Sequence, residues 1–94
     1  MDQEVVWRLG EIAHLGAARS LPSALGGLEL LHLDAPRREA AELAFYLCLE
    51  GELLIDLPYG RLLHLRALDA CELGACERVL TPVESATVLR MARG

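Results

Sequence analysis

The feature that most constrains the fold of this chain is the stretch from Glu42 to Gly60, ELAFYLCLEGELLIDLPYG. Its first part, Leu43 to Leu49, has no charged residue and is too short for an ordinary helix, which is typical of a strand covered on both faces. Its second part, Glu52 to Leu57, partly alternates apolar and acidic residues, as a half-buried strand does. The stretch predicts two strands, separated by Glu50 and Gly51.

The residues from Leu57 to Gly60 predict a tight turn after the second strand. Proline presets φ at the second position of a turn and glycine suits the fourth, which favours a type I turn. Arg61 to Ala67 is then expected to return antiparallel to Glu52 to Leu57. Many short strands with turn signals between them are typical of a sandwich or a barrel. Further strands are predicted at Glu4 to Leu9, Leu28 to Leu33, Ala70 to Leu73, Val79 to Thr81 and Ala86 to Arg90.

The length of 94 residues fits one domain with a single modest core. We expect an N-terminal strand and loop over residues 1–27, a barrel over 28–90 and a tail over 91–94. Within the first part, Glu11 to Ala18 is compatible with one helical turn or with an extended loop. Arg19 to Gly27 is expected to be a loop, because proline and paired glycines interrupt it.

The hydrophobic content and net charge of the chain indicate which kinds of partner to expect. Hydrophobic residues make up 53% of the chain, which is high for this size and favours a homodimer in which outward apolar strand faces cover each other. The net charge is −5, and no basic cluster is longer than Arg37-Arg38, so nucleic acid and anionic membranes are not expected partners.

The N-terminus, MDQEVVWRLG, carries acidic residues where a signal peptide needs positive charge, and no apolar run approaches the roughly 18 residues of a membrane helix. We therefore expect a cytoplasmic protein. The three cysteines are an odd number, which argues against a disulfide framework and favours reduced thiols that act as small hydrophobes.

From Glu42 to Leu89 the chain resembles a cupin domain. The stretch ELAFYLCLEGELLIDLPYG is similar to the first motif of that family, with a strand, Glu-Gly and a second strand that ends in a Pro-x-Gly turn. The segment LRALDACELGACERVLTPVESATVL is similar to the second motif. The resemblance implies an all-β fold, a small jelly-roll or double-stranded β-helix barrel.

In the cupin family, histidines and a glutamate in these motifs hold a divalent metal. With the first motif's glycine at Gly51, the resemblance places the glutamate at Ala44, and a slip of two residues places it at Glu42 instead. The two histidine positions fall at Arg38 and Ala40 or at Arg37 and Glu39, and, in the slipped register, at Pro36 and Arg38.

The second motif places its histidine ligand at Val79, so none of these positions supplies an imidazole. A guanidinium that stays protonated cannot coordinate a metal. We therefore expect neither a metal nor another cofactor in this barrel.

The resemblance also implies that even-numbered residues of the central strand point into the barrel, with Arg38 near its mouth. Arg38 and Glu42 are then expected to pair, with Arg38 as the clamp for a small polar or anionic ligand and Tyr46 as a hydrogen-bonding wall. The alternative is that Arg38 and Glu42 are both solvated at the rim. The predicted ligand-binding residues are Arg38, Glu42, Tyr46 and Cys71.

Other reactive side chains suggest no site by their spacing. His64, Cys71 and Cys76 are of the types that bind zinc, but their spacing matches no zinc motif, and His64 is expected on the face opposite the core. Cys76 is the best candidate for a reactive thiol, because it lies in a loop beside Arg78. No catalytic residue is predicted.

Three hypotheses for function follow. The first is a metal-free, cupin-like module that binds or senses a small molecule. The second is a non-catalytic interaction or structural dimer whose barrel lumen is packed shut. The third is an enzyme of the isomerase, epimerase or dioxygenase kind, with a site that the sequence does not identify.

Overall fold

The computed structural model describes the backbone of residues 18–20 and all of residues 28–92. The strand predicted at Glu4 to Leu9 and nearly all of the possible helical turn at Glu11 to Ala18 lie outside the described residues. None of the described residues belongs to a helix that is long and apolar enough to cross a membrane. The strands are β1 (Ala18–Ser20), β2 (Leu28–Leu33), β3 (Arg37–Glu39), β4 (Ala44–Asp56), β5 (Leu62–Arg66), β6 (Ala70–Leu73) and β7 (Arg78–Ala92), with a 3-10 turn at Pro58–Gly60.

Two long strands, β4 and β7, form the spine of the sheet. They pair antiparallel from Ala44 opposite Ala92 to Asp56 opposite Val79. At one end β2 flanks β7 and β6 flanks β4, whereas at the other end β3 flanks β7 and β5 flanks β4. The sheet therefore has two halves, in the orders β1-β2-β7-β4-β6 and β3-β7-β4-β5.

The two halves are joined at a bulge around Gly51. The register between β4 and β7 shifts there, and Gly51 has φ +79°. A Cβ on Gly51 would lie 2.1 Å from the carbonyl oxygen of Ser85, so the close approach of the two strands requires glycine. The prediction of two strands separated by Glu50 and Gly51 was wrong, because the bulge lets one strand continue through both.

β7 also joins two predicted strands. Pro82 does not end it, because Pro82 lies beside the register shift, where the ladder is already irregular. The strand continues to Ala92, so Met91 and Ala92 extend β7 into the segment that was predicted to be the tail. At the other end of the chain, Arg19 and Ser20 belong to β1 rather than to the predicted loop.

The predicted hairpin is confirmed, although its turn has a different geometry. β5 pairs antiparallel with the second part of β4, from Asp56 opposite Leu62 to Glu52 opposite Arg66. Tyr59 has φ 63° and ψ 32°, in the left-handed region, so the turn is not the predicted type I turn.

The core lies on the inward face that the two halves share. In β4 the inward residues before the bulge are even-numbered, as predicted, and Tyr46 and Cys48 are both 0% exposed. After the bulge they are odd-numbered, because an extra residue changes which face each position occupies. The buried core consists of Leu31, Leu33, Ala44, Tyr46, Cys48, Leu53, Ile55, Leu65, Leu73, Leu80, Ala86 and Val88.

Candidate functional site

A cluster of charged side chains fills the inward side of the sheet next to the core. Arg78 is 1% exposed, Arg90 is 7% and Glu39 is 9%, which is unusual for ionisable residues. We call this group the Arg90 cluster. It consists of Glu29, Arg37, Glu39, Glu42, Tyr46, Arg78 and Arg90.

Arg90 joins three carboxylates from different parts of the chain. Its Nε donates to Oε1 of Glu39 at 2.6 Å, and its Nη1 donates to Oε1 of Glu29 at 2.8 Å. Its Nη2 donates to Oε1 of Glu42. The planar guanidinium presents several donors in a fixed arrangement, so one side chain can hold β2, β3 and the segment before β4 against β7.

The Glu39 carboxylate accepts hydrogen bonds from three side chains. Besides Arg90, the Tyr46 hydroxyl donates to its Oε1 at 2.9 Å, and Arg37 Nε donates to its Oε2 at 3.0 Å. Successive side chains of β3 point to opposite faces of the sheet, so Glu39 points inward and its neighbour Arg38 points outward. The carboxylate is therefore fixed on all sides by this chain's own donors.

Arg78 closes the other side of the cluster through backbone carbonyls. Its Nη2 donates to the carbonyl oxygens of Glu42 at 2.7 Å and Gly74 at 2.6 Å, and its Nε donates to that of Cys76 at 2.9 Å. Its Nη1 lies 3.3 Å from the hydroxyl of Tyr46. Arg78 thus holds the loop between β6 and β7 over the end of the lumen.

The cluster is balanced in charge and in hydrogen bonds. It contains three guanidinium groups and three carboxylates: Arg37 and Arg90 form ion pairs with Glu29, Glu39 and Glu42, and Arg78 donates to backbone carbonyls and to Tyr46. Buried ions are tolerated only when they are paired and fully hydrogen-bonded. Within residues 28–92, no buried side-chain nitrogen or oxygen lacks a hydrogen-bond partner.

These contacts shift the pKa of Glu39. Burial alone raises the pKa of this carboxyl, but the hydrogen bonds from Arg37 and Tyr46 and the positive charge of Arg90 outweigh burial and lower it below the ordinary value of 4.5. Glu39 is therefore ionised at neutral pH.

Burial and the nearby carboxylate raise the pKa of Tyr46, so its hydroxyl is a neutral donor. Burial also raises the pKa of the Cys71 thiol, although the charge of Arg78 opposes this. Burial lowers the pKa of Arg90, but Tyr46 and the carboxylates of Glu39 and Glu42 more than offset burial and raise it. The phenol and the thiol are thus neutral at neutral pH, and neither is an activated nucleophile.

The structure brings together three of the four predicted ligand-binding residues. Glu42 and Tyr46 belong to the Arg90 cluster, and Cys71 lies opposite Tyr46 in the pairing of β6 with β4. Arg38 is exposed on the outward face of β3. The predicted pairing of Arg38 with Glu42 was wrong, because Arg90 holds the Glu42 carboxylate from inside. Whether these residues bind a ligand stays a prediction.

Arg78 and Arg90 were not identified from the sequence as site residues. The resemblance placed the fourth ligand position at Val79, but Val79 faces outward and its neighbour Arg78 faces inward. The alternation along β7 contained the signal, because Arg78 shares a face with Leu80 and Arg90 shares one with Val88.

The residues of the lumen do not fit a divalent metal. The available carboxylates, Glu39 and Glu42, are already bound by Arg90, and a guanidinium stands where a cation would have to sit. The described residues include no group of three or more His, Cys, Asp or Glu side chains placed to hold a metal. His64 lies outside, as predicted, 2.7 Å from Glu52.

A shallow depression lies outside the lumen, at the end of the half that contains β3 and β5. Its volume is about 220 Å³. It contains Arg38, the predicted clamp, although not in the place that was expected for it. The depression is lined by Arg38, Asp56, Leu57, Pro58, Glu77, Arg78 and Val79.

No family model matches the chain, and no curated protein matches it significantly. Protein NMB1881 from Neisseria meningitidis aligns with a TM-score of 0.79 and 9% identity, over 96% of this chain and 100% of that one. A cupin-2 domain containing protein from Shewanella frigidimarina aligns with a TM-score of 0.76 and 14% identity, over 94% and 95%. Drosophila melanogaster CENP-C, in a structure bound to CAL1, aligns with a TM-score of 0.64 and 13% identity, over 81% and 72%.

The chain therefore has a cupin-like fold, and the predicted all-β jelly-roll class is confirmed. Identities this low support the fold alone, because one fold serves many functions. In the interior of this chain, the Arg90 cluster lies in the region where the family resemblance implied a metal.

Proposed function

We propose that this chain is a non-catalytic, cupin-like module that acts through its outer surface as a homodimer. The observation that supports this proposal is the balanced Arg90 cluster, in which the buried donors and acceptors already have partners within the chain. A ligand or metal entering the lumen would have to break these contacts, and each buried charge left unpaired would cost several kcal/mol. With the lumen packed in this way, recognition would take place on the outer surface.

Not every part of the outward sheet face is exposed and available to a partner. On the outward face of β2 and β7, Leu30 and Thr87 are only 0% and 2% exposed within the single chain. A dimer through outward strand faces, as expected from the sequence, would therefore bury little new area around these two residues. The Drosophila CENP-C structure contains CAL1 as its bound partner, and by likeness of fold alone this is in keeping with a role in assembly.

Two measurements test this function together. Sedimentation velocity over a concentration series should show a dimer. Thermal unfolding with phosphate, citrate or free amino acids should show no rise in Tm, since a ligand at about a hundredfold excess over its Kd would stabilise the fold by about 2.7 kcal/mol. A monomer at all concentrations, or a rise in Tm that Tyr46→Phe removes, would contradict the proposal.

The second candidate is a module that binds a small polar or anionic ligand at the depression beside Arg38. It is supported by the position of Arg38, whose exposed guanidinium lines that depression together with the apolar Leu57 and Val79. Under this candidate one of the same small molecules raises the Tm, Arg38→Ala removes the effect, and Tyr46→Phe leaves it unchanged.

A further inference from the structure

Large apolar side chains are exposed at one end of β4. Tyr59 is 99% exposed and Leu62 is 53% exposed, and both lie next to the depression beside Arg38. Tyr59 is also held in the left-handed backbone region, which is costly for a residue with a side chain. An exposed aromatic side chain is the kind of residue that anchors protein interfaces.

Four outward residues cross the same end of the sheet in one row, which we call the rim row. Arg38 lies opposite Val79 in the pairing of β3 with β7, and Val79 lies opposite Asp56 in the pairing with β4. Asp56 in turn lies opposite Leu62 of β5. Residues opposite each other on neighbouring strands share a face and lie about 5 Å apart, so the rim row is a continuous strip.

The rim row carries opposite charges on the two sides of Val79. Arg38 is exposed on one side and Asp56 on the other. Among the residues that the structure describes, neither takes part in an ion pair. Both charges are therefore available to another molecule.

This arrangement is complementary to itself. Two copies can be placed face to face at Val79, with a two-fold axis between them that runs parallel to the strands. This rotation reverses the direction of the rim row in the second copy. Arg38 then meets the partner's Asp56, and Asp56 meets the partner's Arg38. Tyr59 follows the Asp56 end of the row, so the same rotation brings it to the partner's Arg38, where a guanidinium can stack on the ring.

The depression is large enough to receive that ring. Its volume is about 220 Å³, whereas a cavity of about 150 Å³ is sufficient for benzene. Leu57, Pro58 and Val79 provide apolar walls, and the carboxylate of Glu77 provides an acceptor for the phenol. The ring and the depression border each other on one surface, which a two-fold contact between identical copies requires.

We propose that a second copy of this chain docks on the rim row, with Tyr59 of each copy in the depression of the other and Arg38 paired with the partner's Asp56. This inference rests on the homodimer of the proposed function and locates its interface. The contact lies on the outward face of the half that contains β3 and β5, away from Leu30 and Thr87.

The test is a charge exchange between the two ends of the row, followed by sedimentation velocity. Arg38→Asp makes both ends negative and Asp56→Arg makes both ends positive, so each variant alone should lose at least about tenfold in dimer affinity. Mixed together, the two variants should form a heterodimer, because every contact across the axis then joins opposite charges. Tyr59→Ala should weaken the wild-type dimer to a similar extent.

Two controls separate this interface from general effects. Leu68→Ala removes another exposed apolar side chain at a positive φ, and Arg66→Asp reverses an exposed charge of β5 outside the row; both should leave the dimer unchanged. A wild-type monomer at all concentrations would overturn the homodimer and this interface together. A dimer that persists in Arg38→Asp and in Asp56→Arg would overturn this interface alone and leave the homodimer standing on another surface.

Discussion

Arg90 is the residue on which the interior depends most. Its guanidinium donates to Glu29, Glu39 and Glu42, which come from separate parts of the sheet, and its side chain is 9% exposed. Replacing it leaves the buried carboxylate of Glu39 with only Arg37 and Tyr46 as donors and removes the Arg90 contacts of the partly buried Glu29 and Glu42, which costs more than the original pairing contributed. The role of Arg90 is therefore structural and is best measured by stability.

We predict that Arg90→Met lowers the free energy of unfolding by about 3 to 5 kcal/mol, measured by urea denaturation. Arg66→Met, at an exposed position on β5, is the matched control and should change it by less than about 0.5 kcal/mol. If Arg90→Met and the control gave similar values, the cluster would not hold the interior together.

Glu39 predicts how stability depends on pH. Its pKa is lowered in the folded state from an ordinary value of 4.5, so its contribution is fully present above that pH and is lost as the pH falls through the folded pKa. Glu39→Gln should therefore be less stable than the wild type at neutral pH, and its stability should fall less steeply towards about pH 3. Urea unfolding at several pH values measures how the free energy of unfolding changes with pH in the wild type and in Glu39→Gln. Glu84→Gln, at an exposed position, is the control.

The sequence was informative about features that depend on a single strand. The resemblance to the first cupin motif correctly placed Tyr46 in the interior, because side chains alternate between the two faces of a strand and one inward position determines the others up to the bulge. The partners of Arg90 required contacts between distant residues, and Glu29 is 61 positions away. Charged residues in β2, β3 and β7 look like solvated surface until the pairing of the strands is known.

At the scale of secondary-structure elements, the bulge at Gly51 determines how the fold closes. It allows β4 to contribute to both halves of the sheet and changes the inward positions from even to odd. The glycine is visible in the sequence, but the bulge that it allows depends on the close approach of the Ser85 carbonyl in β7. Seen locally, Glu-Gly predicts an interruption between two strands. For this reason the strand boundaries were predicted less well than the strands themselves.

We predict that Gly51→Ala destabilises the fold by about 2 kcal/mol or more, because the new Cβ meets the Ser85 carbonyl and the backbone has a positive φ. Gly74→Ala is the control, since a Cβ there has no neighbour within 4 Å. Thermal unfolding of both variants measures the difference. Equal Tm values would mean that the two strands can separate at the bulge without cost.

The whole molecule has a cupin-like fold, and its proposed role depends on its closed interior. The cytoplasmic location and the homodimer stay predictions. The motif comparison placed no histidine at the metal positions of the family, but it did not show which side chains fill the interior instead. That answer needed the inward directions of β3 and β7, which place Glu39, Arg78 and Arg90 around Tyr46.

The metal content of the purified protein tests the central claim most directly. Protein never exposed to chelator is measured by elemental mass spectrometry, before and after soaking in manganese, iron, nickel and zinc salts, and after removal of unbound ions. The Arg90 cluster predicts far less than one metal ion per chain in every sample, because guanidinium groups already neutralise the carboxylates. One ion per chain that persists in His64→Ala, which removes the exposed imidazole beside Glu52, would contradict the closed interior and favour a metal-dependent function.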